Sequence, residues 1–332
     1  MRPDFSAETE NLTIIKNSSY FDEEYYYQQR PDVKDAGVDA AWHYLNAGWQ
    51  ENANPSSRFC TAMYLAHNKS ERCPLLDYEF GGCKGDYSLR GALKSRIAAY
   101  RLWRMFRRAK TACYTFVSKG YDDLLSHRYI NFDWDYICYT DDKELIKRKY
   151  VGIWEIRKAL YRNEDGKMEC GWHKTHPEEC CSGYQNSVWV DGNVNVLTPY
   201  LRRTIKKRSV PLLVPSHYAR DCIFDECEEV KHLGRDTPEK CDAARGFLER
   251  ENMPRHYGMN ENNIIFREHG NYTVRSVDLL WWDCIEKYSK RDQLSFSYCL
   301  WKNGIRPEDI AIKNARTDYK NFVVGVHGEK QG

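Results

Sequence analysis

The segment Ser187–Leu197, SVWVDGNVNVL, places a carboxylate, a glycine and an amide where two strand-like runs meet. Asp191 ends an alternating run, Gly192 permits close approach of the backbone, and Asn193 leads into a second β-branched run. A carboxylate at a strand tip can hold a hard divalent cation that bridges to substrate phosphates. A simple turn between two strands favours the same residue types. Spacing alone leaves both interpretations open.

Two further segments bring titratable side chains to the ends of predicted elements. SHYARDCIFDECEEV contains Arg220, Asp225 and Glu226, and FREHG contains Arg267 and His269 after another strand-like run. A histidine beyond a strand is a candidate metal ligand, although a lone histidine is more often part of the core or the surface.

The segment Ser289–Lys302, SKRDQLSFSYCLWK, is the other dense cluster. Asp292 begins a predicted helix, where the helix dipole favours a carboxylate, and this role alone would explain it. The functional interpretation is that Asp292 and Gln293 are held at a rigid helix start to contact a substrate.

The 13 cysteines are scattered along the chain and odd in number, so we expect reduced thiols rather than a disulfide framework. One cluster of zinc-compatible residue types comprises Cys170, His173, His176, Cys180 and Cys181. Its spacing matches no ordinary zinc template, and we favour a loop without metal.

From Lys110 onward, strand-like and helix-like signals alternate. The strand-like runs are TACYTFV, DWDYICYTDD, KYVGIWEI, NSVWVDGNVNVL, VPLLVP and NNIIFRE. This alternation predicts an α/β domain with a largely parallel sheet, in which ligands bind beyond the carboxyl ends of the strands. Acidic residues stand at several of those ends.

The composition is that of an ordinary globular chain. Its 332 residues are 42% hydrophobic and 30% charged, and the net charge of +2 gives no argument for a nucleic-acid partner. No apolar run approaches the ~20 residues of a membrane span, and the N terminus lacks the apolar core of a signal peptide. We therefore expect a cytoplasmic location, with peripheral contact at the inner membrane face as an alternative.

Four regions are predicted along the chain. Residues 1–85 form a helical, repeat-like region in which a Phe followed five residues later by a Tyr recurs at an offset of 38. Residues 86–110 form a basic linker helix, with eight basic and no acidic residues in 90–110. We favour a connecting helix over an interfacial helix attracted to anionic lipid. A domain over 111–315 and a tail over 316–332 follow.

The order of several motifs resembles a glycosyltransferase-like family with plant mucilage-related and bacterial members. The resemblance covers about 111–302 and is most specific in ENMPRHYGMNENNIIFREHG and LLWWDCIEKYSKRDQLSFSYCLWK. The N-terminal region also resembles a repeat found ahead of bacterial polysaccharide glycosyltransferase domains. The family resemblance implies a GT-A-like, Rossmann-type mixed sheet flanked by helices, with a small helical N-terminal region.

The resemblance also implies residue roles. It implies a nucleotide-sugar donor, and a divalent Mn²⁺ or Mg²⁺ ion held by Asp191, Asn193 and His269. Because Asn193 is neutral, such an ion would be held weakly or replaced by cationic side chains. The implied donor-binding residues are Thr115, Tyr121, Asp122, Asp141, Arg220, Arg267 and Arg291. The implied catalytic residues are Asp292 and Gln293, with Asp225 and Glu226 in reserve.

The expected function is transfer of a sugar to a glycan or lipid-linked acceptor in surface polysaccharide biosynthesis. One alternative is a non-catalytic docking protein of a glycan-assembly complex. The other is a metal-dependent, ceramidase-like hydrolase, since Asp, His and Glu clusters can also activate water on a metal.

Overall fold

A computed structural model describes residues 5–68, 70–81, 85, 87–118, 124 and 127–325. None of the helices in these ranges is long and apolar enough to cross a membrane. The chain divides into two compact units, residues 1–99 and 100–332. The predicted donor-binding residues Tyr121 and Asp122 lie outside the described residues.

Unit 1 is helical and has an aromatic core. Its helices are α1 (Phe5–Asn17), α2 (Glu23–Gln29), α3 (Pro31–Asp35), α4 (Ala40–His43), α5 (Thr61–His67) and α6 (Pro74–Glu79), with a π-helical turn at Tyr44–Gly48. Asp22 and Asp39 accept backbone N–H groups at the starts of α2 and α4, which satisfies donors that a helix start leaves open. The core is built from buried tyrosines, together with Phe59.

The 38-residue offset recurs in the structure of this unit. Helices α2 and α5 have the same length and begin 38 residues apart. The Phe21 and Tyr26 rings lie 6.1 Å apart at an interplanar angle of 32°, and the Phe59 and Tyr64 rings lie 5.5 Å apart at the same angle. The repeated residues therefore make equivalent packing contacts in both copies.

Helix α7 (Leu89–Arg104) lies within the basic segment. Several basic residues of this segment that belong to unit 2 contact the sheet. Arg101 donates to the Gly152 carbonyl, and Arg104 and Arg107 both contact the Asp135 carboxylate at 3.1 Å. The side chains of Leu102, Trp103, Met105 and Phe106 are exposed.

Unit 2 is built on a mixed sheet. Its strands are β1 (Thr111–Val117), β2 (Trp134–Thr140), β3 (Tyr150–Val151), β4 (Trp154–Lys158), β5 (Asn186–Val190), β6 (Val194–Val196), β7 (Leu212–Pro215), β8 (Ile264–Glu268), β9 (Ala311–Ile312) and β10 (Phe322–Val324). Among the described residues, eight of them form one sheet in the order β3-β4-β2-β1-β5-β8-β7-β9. Every residue of β1 and β2 is buried, as expected for strands covered by helices on both faces.

Strand β8 runs in the opposite direction to both of its neighbours in the sheet. Strands β4, β2, β1 and β5 are parallel, whereas β8 runs antiparallel to both β5 and β7. Ile264 at the start of β8 therefore lies beside Val190 at the end of β5, and Glu268 lies beside Asn186. The residues that precede β8 therefore lie at the same edge of the sheet as the carboxyl end of β5. The residues that follow β8 lie at the opposite edge.

Helices flank the sheet and complete the predicted fold class. They are α8 (Lys143–Ile146), α9 (Gly166–Thr175), α10 (Pro177–Cys180), α11 (Tyr200–Lys206), α12 (Ile223–His232), α13 (Pro238–Arg250), α14 (Tyr272–Lys287) and α15 (Gln293–Lys302). Asp165, Thr237 and Asn271 cap α9, α13 and α14 through their side-chain oxygens. The prediction of an α/β domain with a Rossmann-type mixed sheet and a small helical N-terminal region is confirmed.

The end of the described chain is part of unit 2. Residues 316–325, which the sequence places in the C-terminal tail, include β10, and β10 pairs antiparallel with β6. Phe322 is fully buried there.

Candidate active site

A cavity of about 470 Å³ opens at the carboxyl edge of β5, a size typical of small-molecule sites. The end of β5 contributes Asp191 and Gly192, and the first turns of α9 and α15 contribute Gly166, Lys167 and Gln293. Two helix N termini therefore reach the same cavity, and this arrangement favours an anionic ligand.

A buried lysine joins the two carboxylates at the centre of the cavity. The Lys174 ammonium, whose side chain is 7% exposed, lies 2.7 Å from an Asp292 oxygen and 3.2 Å from an Asp191 oxygen. It also lies 5.3 Å from the centre of the Trp189 ring, whose indole N–H donates to Asp191 at 2.6 Å. We call Asp191, Lys174 and Asp292 the charged triad.

Two members of the charged triad are held in their ionised forms. Burial alone would lower the pKa of Lys174, but the Asp191 and Asp292 carboxylates outweigh it and hold that pKa above its ordinary value. Burial would raise the pKa of Asp292, but Lys174 and Arg291 lower it. Lys174 and Asp292 therefore carry charge at neutral pH.

Three more cations line the cavity outside any ion pair. Lys167, Arg235 and Arg291 make no ion pair with any residue that the structure describes. The Arg291 Nε is buried and has no hydrogen-bond partner there. Burial, then the neighbouring charges of Arg291 and Lys290, lower the pKa of Lys167. Arg235 is exposed, whereas Lys167 and Arg291 are half-buried like charges, an arrangement that a bound anion would stabilise.

The opposite wall is made of ion pairs. Arg220 donates to Glu226 at 2.5 Å, and His217 lies 3.8 Å from the same carboxylate. Burial lowers the pKa of His217, although Glu226 partly opposes that shift. Glu261 accepts from Arg316, and from Asn314 at 2.7 Å. The cations of this wall are already neutralised by protein carboxylates, unlike Lys167, Arg235 and Arg291.

The turn before β8 supplies uncharged polar groups to the cavity. Asn262 and Asn263 line it and are 3% and 4% exposed. The amide nitrogen and oxygen of both side chains lack partners within the described residues. The Asn263 carbonyl accepts the Asp191 N–H at 2.9 Å, so this turn is tied directly to the charged triad.

The predicted metal-ligand set does not fit a divalent ion. The Lys174 ammonium lies where a cation shared by Asp191 and Asp292 would be. Asn193 donates from its amide nitrogen to the Gly325 carbonyl at 2.9 Å. His269 lies at the other edge of the sheet. The charge that a metal ion would supply is already provided by a side chain.

Comparison with known proteins identifies the family of this chain. A family model described as "TOD1/MUCI70, glycosyltransferase-like domain" matches residues 135–327. The chain belongs to this family. The match includes the charged triad, the unpaired cations and the Asn262–Asn263 turn, and it confirms the family resemblance drawn from the motifs.

Two individual proteins are also similar to this TOD1/MUCI70 domain. "Probable hexosyltransferase MUCI70" of Arabidopsis thaliana is 25% identical over 197 residues, which are 55% of this chain and 33% of that protein. The chain thus spans about a third of the length of this curated relative. The apo structure of the bifunctional glycosyltransferase WbbM overlaps with a TM-score of 0.37 at 8% identity, over 91% of this chain and 61% of that chain.

The structure brings together part of the predicted site of this TOD1/MUCI70 domain. The predicted residues that line the cavity are Asp191, Arg220, Glu226, Arg291, Asp292 and Gln293. Gln293 is 8% exposed and donates to the Asn260 carbonyl at 2.7 Å. Asp292 and Gln293 thus stand at a helix start beside the cavity, in the places that the sequence indicated.

Arg267 and His269 require correction. The family resemblance implied donor binding for Arg267 and metal binding for His269, but β8 runs antiparallel to β5 and carries both residues to the opposite edge of the sheet. Arg267 is fully buried and donates to Asp278 at 2.8 and 2.9 Å. The His269 backbone N–H donates to the Gln185 carbonyl at 2.9 Å.

Three other predicted residues also lie outside the cavity. Thr115 is fully buried within β1, where its neighbour Phe116 lines the cavity instead. Asp141 is half-buried after β2 and does not line it. Asp225 is exposed on α12, where its carboxylate lies within 4.8 Å of ligand atoms of Cys222 and His256, a grouping that could hold a metal ion. Asp225 is therefore removed from the candidate catalytic residues.

The side chains of the cysteine and histidine cluster pack and form hydrogen bonds within the protein. His173 stacks on Phe116 at 4.7 Å and accepts the Leu160 N–H at 3.0 Å, while His176 stacks on Trp172 at 4.3 Å. Cys180 is buried, with its sulfur 3.6 Å from the His173 carbonyl. The segment forms α9 and α10 rather than the loop that the sequence predicted.

Sequence reasoning missed the residues that distinguish this site. Lys174 lies inside the segment that holds the candidate zinc-binding cysteines and histidines. Lys167 lies near the start of α9, the helix that also contains Lys174. Asn262 and Asn263 belong to the NENN run directly before a buried strand. That run of polar residues was the one available signal, because amides beside a strand end are candidates for ligand contact.

Proposed function

We propose that this TOD1/MUCI70 domain transfers a hexose from a nucleotide-sugar donor to a hydroxyl acceptor on a glycan or lipid-linked glycan. The observation that carries the proposal is the cluster of cations without counterions beside the charged triad. The family match and the curated relative's name support the reaction class.

The unpaired cations suit the diphosphate of such a donor. When the bond to the anomeric carbon breaks, negative charge builds up on the leaving phosphate. Lys167, Arg235 and Arg291 line the cavity with the N termini of α9 and α15, and together they would bind and stabilise that charge. Protein carboxylates do not already neutralise them.

The charged triad suits the other side of the breaking bond. Positive charge develops on the sugar ring, and a carboxylate beside it stabilises this charge or takes the proton of the acceptor hydroxyl. The Asp292 side chain is 23% exposed towards the cavity, and its lowered pKa keeps it ionised. Lys174 fixes its orientation, so we assign Asp292 the role of this carboxylate.

The proposed reaction does not require a divalent ion. The positive charge comes from Lys174 at the triad and from the basic cluster at the phosphate. We therefore expect donor turnover in the presence of a chelator. The place of the reaction in surface polysaccharide synthesis, at the inner face of the membrane, remains part of the proposal.

The test is a panel of UDP- and GDP-linked hexoses, followed by donor hydrolysis and thermal shift, each with EDTA or with added Mn²⁺. We expect at least one donor to raise the melting temperature and to be hydrolysed in EDTA. The Lys167→Ala and Arg291→Ala variants should each weaken donor binding by roughly tenfold or more, since each removes a charge-assisted contact.

The matched control is Lys287→Ala, which removes an exposed lysine paired with Asp283 outside the cavity. It should bind donor as the unmodified protein does. Turnover that appears only with added metal would contradict the proposed role of Lys174. A folded protein that responds to no donor would contradict the function as a whole.

A further inference from the structure

Four polar atoms at one end of the cavity have no hydrogen-bond partner within the part of the chain that the structure describes. They are the amide nitrogens and oxygens of Asn262 and Asn263, two side chains that are almost fully buried and line the cavity. A buried amide that makes no hydrogen bond destabilises the folded protein. Side chains of this kind are retained where a ligand supplies the missing partners.

The turn that carries these amides is fixed on both sides. The Asn263 carbonyl accepts from the Asp191 backbone, and the Asn260 carbonyl accepts from Gln293 at 2.7 Å. Asp191 belongs to the charged triad, and Gln293 follows its other carboxylate in sequence. The amides therefore lie beside the reacting end of the cavity and are held by residues on both sides of it.

The chemistry of an amide selects the ligand group. Each side chain offers an N–H donor and a C=O acceptor, and a sugar hydroxyl both donates and accepts. A phosphate offers only acceptors and would leave the amide oxygens unpaired. We propose that Asn262 and Asn263 bind neighbouring hydroxyl groups of a hexose, an inference that rests on the proposed glycosyl transfer.

The hexose can come from the donor or from the acceptor, and two assays separate these sources. Hydrolysis of the donor without acceptor depends only on the donor hexose. Transfer to an added oligosaccharide depends on both. The variants to compare are Asn262→Leu and Asn263→Leu, which keep the branching and the number of heavy atoms of asparagine and remove both polar atoms.

The first measurement is the melting temperature of the ligand-free variants. Removing unpaired buried polar atoms should raise it, by about 2–4 °C for a unit of this size. The control Asn321→Leu should lower it, because Asn321 donates to Asp318 at 2.6 Å and also accepts from Thr198. A fall for Asn262→Leu and Asn263→Leu like that of the control would show structural amides and overturn the proposal.

The second measurement compares binding of a nucleotide sugar with binding of the same nucleoside diphosphate alone. If the amides bind the donor hexose, each leucine variant should weaken sugar-nucleotide binding roughly tenfold and leave UDP or GDP binding unchanged. Slower donor hydrolysis then assigns the donor hexose. Normal hydrolysis with a raised KM for the oligosaccharide assigns the acceptor hexose, and both results support the proposal.

Three results of the binding and transfer assays would also overturn it. Equal losses for the sugar nucleotide and for the free nucleoside diphosphate would assign the amides to the nucleotide. Unchanged binding and transfer in both leucine variants would show that the amides contact no substrate, while the proposed function stands. If the unmodified protein binds no nucleotide sugar, the proposed function fails and the inference fails with it.

Discussion

Two cation–carboxylate groups of unit 2 lie at opposite edges of its sheet. At the carboxyl edge of β5, Lys174 contacts Asp191 and Asp292, whose side chains are 29% and 23% exposed to the cavity. At the opposite edge, Arg267 contacts Asp278, and these side chains are 0% and 7% exposed. One group faces a cavity, and the other is enclosed by protein.

The two groups differ in how far burial shifts the pKa of a carboxylate. The pKa of Asp292 is lowered by Lys174 and Arg291, so its carboxylate stays ionised and available to a ligand. Burial raises the pKa of Asp278 to about 6, although Arg267 opposes the shift. The same pairing therefore keeps a carboxylate ionised beside the cavity in one place and makes a structural contact in the other.

The largest expected effect is a loss of donor turnover, and we expect it at the charged triad. Lys174→Met should lower donor turnover by about 10²–10³-fold, since it removes the charge that orients Asp292 in a partly enclosed site. The measurement is the initial rate of donor hydrolysis, with circular dichroism as a check of the fold. Turnover within twofold of the unmodified protein would remove the distinction between the two edges.

The second effect is on stability. Arg267→Met should lower the free energy of unfolding by about 3–5 kcal/mol, because it leaves the Asp278 charge buried and uncompensated. Urea unfolding measures this loss, and Lys174→Met serves as the comparison. The cavity lets water reach Asp191 and Asp292, so Lys174→Met should cost less stability than Arg267→Met does, and the reverse order would contradict the comparison.

The third effect is a pH dependence that belongs to one group only. Between pH 7 and pH 5 the folded protein takes up a proton at Asp278, whereas the unfolded chain does not do so until about pH 4. The free energy of unfolding should therefore gain about 1 kcal/mol from this residue as the pH falls over that range.

The Asp278→Asn variant should lack that gain when urea unfolding is repeated at pH 5, 6 and 7. Asp292 affects the free energy of unfolding in a different pH range, because its pKa is lowered. Its stabilising contribution is constant above about pH 4 and is lost only as the pH falls through the folded-state pKa. An equal slope in Asp278→Asn and in the unmodified protein would show that Asp278 does not titrate there.

The smallest effect concerns charges that belong to neither group. In the basic segment 90–110, Arg101, Arg104 and Arg107 are already bound to the sheet of unit 2. We expect only weak flotation with anionic vesicles, decreasing with salt and in a Trp103→Ser, Phe106→Ser variant that removes exposed aromatic rings. Binding that is the same across lipid charge and salt would show that the segment is only a connection.

The sequence predicted the α/β class because alternating strand and helix signals are local properties of the chain. Asp191, Asp292 and Gln293 were found for the same reason, since a strand end and a helix start can be read locally. Arg267 and His269 were misplaced because strand direction is decided by pairing between segments far apart, and an apolar run before FREHG carries no sign of it.

Lys174 and the two asparagines were missed for a different physical reason. A lysine becomes a buried counterion only when two carboxylates from other elements reach it, and those come from positions 17 and 118 residues further along the chain. An amide becomes a candidate ligand only when no neighbour satisfies it. Both properties exist in the folded protein and not in the spacing of residues.

The reversal of β8 has a practical consequence for redesigning this domain. Replacements at Asn262 and Asn263 would change the polar lining of the cavity without altering the side chains on α9 and α15. Replacements just after β8, at His269 and Gly270, would act at the opposite edge of the sheet, outside the cavity. The inverted strand β8 thus separates a segment open to redesign of the binding surface from a segment remote from it.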